Sequence, residues 1–334
     1  MSKIASVLAM VAAVVIGCNA RADEMKLIMT TISLPNTPAA AMYHEWADKV
    51  NEAGKGIVSI DVRDGFTLVN SSNYYDRLTS DVVQITFGSP NYLGGQFPLS
   101  HVMVLPFLFD TSEEASAVYW RLYKSGLLNA EFATLHPLAL QGFPQSSLHL
   151  VKAPTTKLLD LKGLRIIGGG QRDVIGALGG TAMAIALTDS YEALQRGTAD
   201  GMLFPMAATH DFKIDEVTHY HILASLGGGP GGIWMTKAKY QSLSPAVQKV
   251  LDANTGEAPS RRLGYHLDQL QEEVPKLIAK SPNQTIVPIS AEQLSAWKKE
   301  AQPVYESWNS ADKAKGDAAL AKVRELDAEV RAGH

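Results

Sequence analysis

The chain has 334 residues, 46% hydrophobic and 19% charged, which suits about two globular domains with sizeable cores. A net charge of -4, with lysines and arginines dispersed along the chain, excludes a basic nucleic-acid surface. Cys18 is the only cysteine, which excludes an internal disulfide, and beyond the N-terminus no run approaches the roughly 18 apolar residues of a membrane span.

In chain order, Lys3, an apolar run from Ile4 to Ile16, and Ala20-Arg21-Ala22 have the layout of an export signal cleaved before Asp23. Val15-Ile16-Gly17-Cys18 is the competing reading, a lipoprotein box that would leave Cys18 lipidated. Met25 to Ile32 reads as a strand, followed by a helix that opens near Pro38. In that helix Met42, Trp46 and Val50 form a buried stripe, and Gly54 ends it. Val58, Ile60 and Val62 alternate with polar residues as in a half-buried strand. A short helix at Ser72 to Leu78 leads to a strand at Val82 to Phe87. The loop Gly88-Ser89-Pro90-Asn91-Tyr92 leaves the end of that strand, where open parallel sheets bind ligands. Ser89, Asn91 and Tyr92 are therefore candidate ligand contacts, although Pro90 and Asn91 also suit an ordinary turn. Thr111-x-x-Glu114 caps a helix with Ala117, Val118 and Leu122 inward.

Asp160 to Gly170, D-L-K-G-L-R-I-I-G-G-G, reads as a strand and a glycine turn. Val174, Ile175 and Leu178 then form the stripe of a helix stopped at Gly179 and Gly180. A strand at Ala182 to Leu187 follows, then a helix opened by Asp189-x-x-Glu192, and a strand from Ala199 to Phe204. This alternation is the grammar of a parallel sheet covered by helices. Ser244-Pro245 opens a helical pattern reaching Ala279, broken into segments at Pro259 and Pro275. Ser290-x-x-Gln293 opens another helix, and a solvated helix follows Asp312.

The D-L-K-G-L-R-I-I motif and the later Y-E-A-L-Q-R-G-T-A-D-G-M-L-F-P, from Tyr191 to Pro205, resemble those of the solute receptors of tripartite ATP-independent periplasmic (TRAP) transporters, and the likeness covers nearly the whole mature chain. The resemblance implies an α/β, two-lobed periplasmic binding protein of the Venus-flytrap type, with a hinge and long C-terminal helices. It implies a signal peptide at 1–22, a first lobe of 23–146 plus 230–270, and a second of 147–229 plus 271–334. The crossings fall at Pro144 to Ser147 and at Gly227 to Gly232, where a glycine cluster fits either a hinge or a plain loop. In the family the first motif ends Leu-Lys-Ile-Arg, and its arginine clamps the ligand carboxylate. Ile167 holds that position here, and Leu203 and Phe204 replace polar residues of the second motif.

The charge that meets an anionic ligand is then the open question. Arg172, near a helix start with the N–H groups of Gly169, Gly170 and Gln171, is the first choice. Arg165, on the same strand face as Ile167, is the second, and a neutral or zwitterionic ligand is the third. Ile167, Leu187 and Phe204, with Met206 beside them, are expected to form an apolar wall that favours an aromatic or branched body over a small dicarboxylate.

Other constellations carry less. His219 and His221 share a strand face but have no third ligand nearby, so two half-exposed histidines are expected and no metal. The glycines at 168 to 170 lack a following Lys-Ser/Thr, and Ser146, Ser147 and His149 lack a nucleophile elbow. The expected protein is a monomeric periplasmic receptor without cofactor or catalysis, which delivers a small organic acid to the small and large TRAP membrane subunits. The alternatives are a receptor serving a sensor and a periplasmic enzyme of organic acids.

Overall fold

A computed structural model describes residues 24–154, 160–168 and 170–334, without the side chains of Tyr92 and Ser310. The expected export signal at 1–22, Cys18 and Gly169 lie outside the described residues.

The chain begins with β1 (Met25–Thr30), α1 (Pro38–Ala53), β2 (Val58–Arg63), α2 (Tyr74–Thr79) and β3 (Ile85–Gly88). After a run of 3-10 turns come α3 (Ser112–Lys124) and β4 (Leu135–Phe143). The chain then crosses to β5 (Ser147–Leu150), β6 (Arg165–Ile167), α4 (Arg172–Ala177), β7 (Thr181–Met183) and α5 (Leu187–Gln195). β8 (Gly201–Phe204), α6 (Met206–Thr209), α7 (Ile214–Val217) and β9 (Tyr220–Leu223) complete this part. The chain returns through β10 (Gly229–Thr236), α8 (Lys237–Ser242), α9 (Pro245–Ala253) and α10 (Glu257–Ile278), and ends with β11 (Thr285–Pro288), α11 (Ala291–Glu300), α12 (Gln302–Ser307) and α13 (Lys313–Arg331).

Two sheets result, ordered β2-β1-β3-β10-β4 and β11-β9-β5-β8-β6-β7. β1 is parallel to β2 and β3, and β6 is parallel to β7 and β8. Each sheet takes one strand antiparallel to both its neighbours, β10 in the first and β5 in the second. This is the two-lobed α/β binding-protein fold, and the strands that follow the two crossings are the ones that run against their sheets.

Local signals explain most boundaries. Thr37, Thr111 and Ser290 each accept a hydrogen bond from the N–H three residues on, and so cap α1, α3 and α11. Asp268, on α10, accepts from the N–H groups of Ser112 and Glu113 at 2.6 and 2.9 Å, which adds a carboxylate to the positive end of α3. Gly264 allows that approach, because a Cβ there would lie 2.3 Å from the Ser112 carbonyl oxygen.

Some expected boundaries move. Leu187 is the first residue of α5 and not the end of a strand, and Asp189 lies in the first turn, where a carboxylate suits the helix dipole without capping it. Pro259 and Pro275 fall near the two ends of α10, where they cost few helical hydrogen bonds, so one helix of 22 residues spans both. α13, grouped by the sequence reading with the second lobe, instead lies against α3 of the first. Arg331 there pairs with Asp110 at 2.6 Å, Glu114 at 2.7 Å and Asp327 at 3.0 Å.

Candidate functional site

The parallel strands of both sheets deliver their C-terminal ends to a cavity of about 170 Å³ between the lobes. Ile32 and Ser33 follow β1, Met42 and Tyr43 come from α1, and Phe87, Ser89 and Asn91 lie at and beyond the end of β3. Phe143 closes β4. The second lobe supplies Ile167, Gln171, Ile185, Leu187, Met202 to Pro205 and Phe212, and α10 adds Leu267 and Leu270. Among the described residues, no Asp, Glu, Lys, Arg or His side chain lines this cavity.

The walls are organised by ring contacts. Tyr43 stacks on Phe87 at 4.3 Å and 28°, Phe143 meets Phe87 edge-on at 6.0 Å and 81°, and Phe204 meets Phe212 edge-on at 5.8 Å and 87°. The Tyr43 hydroxyl donates to Gln141 Oε1 at 3.1 Å, and burial holds its pKa well above the ordinary tyrosine value, so the group stays neutral.

Both crossings meet beside the cavity. Ser146 and Leu226–Gly227 exchange backbone hydrogen bonds, Ser146 N–H to the Gly227 carbonyl at 2.9 Å and Leu226 N–H to the Ser146 carbonyl at 3.0 Å. The Gln171 side-chain amide, buried at the start of α4, donates toward Ser146 Oγ at 3.2 Å and toward the carbonyls of Gly228 and Gly227 at 3.2 and 3.3 Å. Gly227 needs its missing side chain twice over: its φ is +99°, and a Cβ would lie 2.3 Å from the Val104 carbonyl oxygen. The glycines that follow mainly serve close packing within β10. A Cβ at Gly229, for instance, would come within 2.5 Å of Asn91 Nδ2.

Of the residues singled out in the sequence, Ile167, Asn91, Ser89, Leu187 and Phe204 line the cavity. The Ser89 hydroxyl is engaged with the Pro230 carbonyl at 2.8 Å, while the Asn91 side-chain oxygen is buried without a hydrogen-bond partner among the described residues. The Tyr92 side chain lies outside the described residues. Met206 is fully buried with Val274 and Ile278, away from the lining. Arg172 is exposed at the first position of α4 and does not line the cavity. Arg165 is exposed and turned to Asp200, beside a separate depression that includes Lys152 and Lys162.

Tyr43, Phe143 and Gln171 escaped the sequence reading as lining side chains, since the packing that brings each to the cavity joins distant parts of the chain and leaves no local pattern. Of the two strand histidines, His219 is half-buried as expected and His221 is not. His221 is fully buried, because β9 is an inner strand covered by β5 and β11, and it faces an equally buried His149. Among the described residues no group of three His, Cys, Asp or Glu could hold a metal ion.

Comparison with known proteins agrees with this architecture. Residues 29–311 match the model of the family described as bacterial extracellular solute-binding protein, family 7. A TRAP solute-binding protein of Rhodoferax ferrireducens, solved with copurified benzoate, is 26% identical, with a TM-score of 0.85 over 91% of this chain and 98% of that one. A TRAP periplasmic solute-binding protein of Bordetella bronchiseptica, solved with bound (R)- and (S)-mandelate, is 25% identical, with a TM-score of 0.82 over 92% and 99%. An ectoine/5-hydroxyectoine-binding periplasmic protein of Ruegeria pomeroyi is 23% identical over 276 residues, 80% of this chain and 79% of the relative. The chain belongs to bacterial extracellular solute-binding protein family 7, the periplasmic, non-enzymatic receptors of TRAP transport.

Proposed function

We propose that this receptor captures a monocarboxylate with an aromatic or branched apolar body and delivers it to the small and large membrane subunits of a TRAP transporter. The observation that carries the reading is the lining itself, a cavity walled by rings and aliphatic side chains with no charged group among the described residues.

Magnitudes favour this ligand class. A ring that buries about 150 Å² gains roughly 4 kcal/mol at about 25 cal/mol per Å². One carboxylate can be held by neutral donors, and hydrogen bonds to a charged group are worth about 1.5 to 3 kcal/mol each. The Asn91 amide, whose oxygen has no partner among the described residues, can present its NH2 by a half-turn, and Ser33, Ser146 and Gly170 stand in the same lining. A second carboxylate would have to lie against the rings and aliphatic side chains that make up most of the lining, at a cost of several kcal/mol. The benzoate and mandelate held by the two solved relatives are ligands of this kind.

Neither arginine is needed in this account. Arg165 is spoken for by Asp200, and Arg172 stands outside the lining. Mass spectrometry of small molecules released from the purified receptor tests the reading. An aromatic or branched monocarboxylate is the expected species; a dicarboxylate or sugar acid retained in stoichiometric amount would overturn it.

A further inference from the structure

Tyr43 brings a hydroxyl to the ring-lined wall that the first lobe gives the cavity. Its ring lies on Phe87 of β3, and its oxygen reaches over β10 to Gln141 of β4. Gly231 on β10 stands opposite Gln141, and a Cβ there would lie 2.9 Å from the Phe143 ring and 3.4 Å from Phe87, so rings and polar pair share one sheet face.

Gln141 is fully buried, and its Nε2 has no hydrogen-bond partner among the described residues while Oε1 accepts from Tyr43. A half-turn of the amide exchanges the two atoms. Nε2 then donates to the Tyr43 oxygen, the phenolic hydrogen is released, and a carbonyl oxygen, cheaper to leave unpaired than an N–H, takes the buried place. Burial holds the Tyr43 pKa well above its ordinary value, so the hydroxyl keeps that hydrogen. With a hydrocarbon occupant, either the Gln141 amide nitrogen or the Tyr43 O–H is left without an acceptor. A ligand oxygen beside Tyr43 pairs them both.

We propose that the cavity holds a second polar subsite, the Tyr43 hydroxyl backed by Gln141, which takes a hydroxyl carried on the ligand's ring on the side away from its carboxylate. This rests on the monocarboxylate reading proposed above. Asn91 marks the other end, since its Nδ2 would lie 2.5 Å from a Cβ on Gly229, two residues before Gly231. Two residues of strand span about 7 Å, close to the reach from the carboxylate of a benzoate to an oxygen at its meta or para position. A hydroxyl suits both orientations of the Gln141 amide, because it can accept from the Tyr43 O–H or donate to the Tyr43 oxygen. A carboxylate in its place would bury a charge against a single neutral donor.

Calorimetry on the ligand-stripped receptor tests this by comparing benzoate with meta- and para-hydroxybenzoate and with the matching toluates, which fill the same ring positions without a hydrogen bond. One of the hydroxybenzoates is expected to bind about fivefold more tightly than benzoate, the net worth of one hydrogen bond, and its toluate to show no such gain. In Tyr43→Phe, which keeps the ring, the ratio of hydroxybenzoate to benzoate affinity is expected to fall to about one. Should that variant fail to fold, the Tyr43 Cζ carbon resonance of the parent decides, moving on addition of the hydroxybenzoate and not of the toluate. Hydroxybenzoates no tighter than benzoate, an equal gain from the toluate, an equal response of the Cζ resonance to both, or a preference that survives Tyr43→Phe overturns the subsite and leaves the proposed function standing. If no monocarboxylate binds at all, that reading fails and this one with it.

Discussion

Arg165 grips Asp200 with two hydrogen bonds of 2.9 Å, Nε to Oδ2 and Nη2 to Oδ1, and its backbone N–H donates to the same carboxylate at 2.9 Å. The pair joins β6 to the chain just before β8 on an exposed rim, and the Arg165 guanidinium also donates to the Gly197 carbonyl. An arginine this fully engaged has little left for a ligand. Arg165→Ala and Arg172→Ala are both expected to leave benzoate affinity within about twofold of the parent, as for surface substitutions elsewhere. A large loss in either variant, measured by calorimetry, would place a guanidinium in the site.

Ile167→Arg restores the family's residue at a buried position. Without a partner, the new charge is expected to destabilise the ligand-free protein by about 3 kcal/mol or more. Succinate or another dicarboxylate should then raise the thermal midpoint of the variant, although it leaves the parent unmoved. Equal responses from parent and variant would mean that position 167 does not reach the ligand.

Locally coded features were legible in the sequence and distributed ones were not. The stripe of Met42, Trp46 and Val50, and the caps at Thr111 and Ser290, lie within one or two helical turns, and the structure uses them as read. Asp189-x-x-Glu192 misplaced a helix cap by three residues, because a carboxylate favours the first turn as well as the cap. Asn91 and Phe204 were found through the loop after β3 and the departure from the family motif. Gln171 meets Ser146 and Gly227 across 25 and 56 residues, and His149 meets His221 across 72, separations at which no periodicity survives.

The contact between α3 and the C-terminal helix is expected to depend on pH. Glu114 on α3 lies against Asp327 and Arg331 of α13, and burial, then Asp327, raise its pKa from 4.5 to about 8. A carboxyl with a raised folded-state pKa favours folding most below about pH 4.5, and this contribution is lost as pH rises toward about 8. Glu114→Gln is therefore expected to raise the thermal midpoint at pH 8 and to flatten its dependence between pH 5 and 8. A variant with the parent's slope would assign that dependence to other groups.

The most direct test of a neutral, ring-walled cavity is a calorimetric comparison of benzoate with succinate on the same ligand-stripped preparation. The account predicts saturable binding of benzoate, with a dissociation constant in the micromolar range or below, and no measurable heat from succinate. Succinate binding as tightly as benzoate, or more tightly, would contradict it, since the described lining offers no cationic side chain to a second carboxylate.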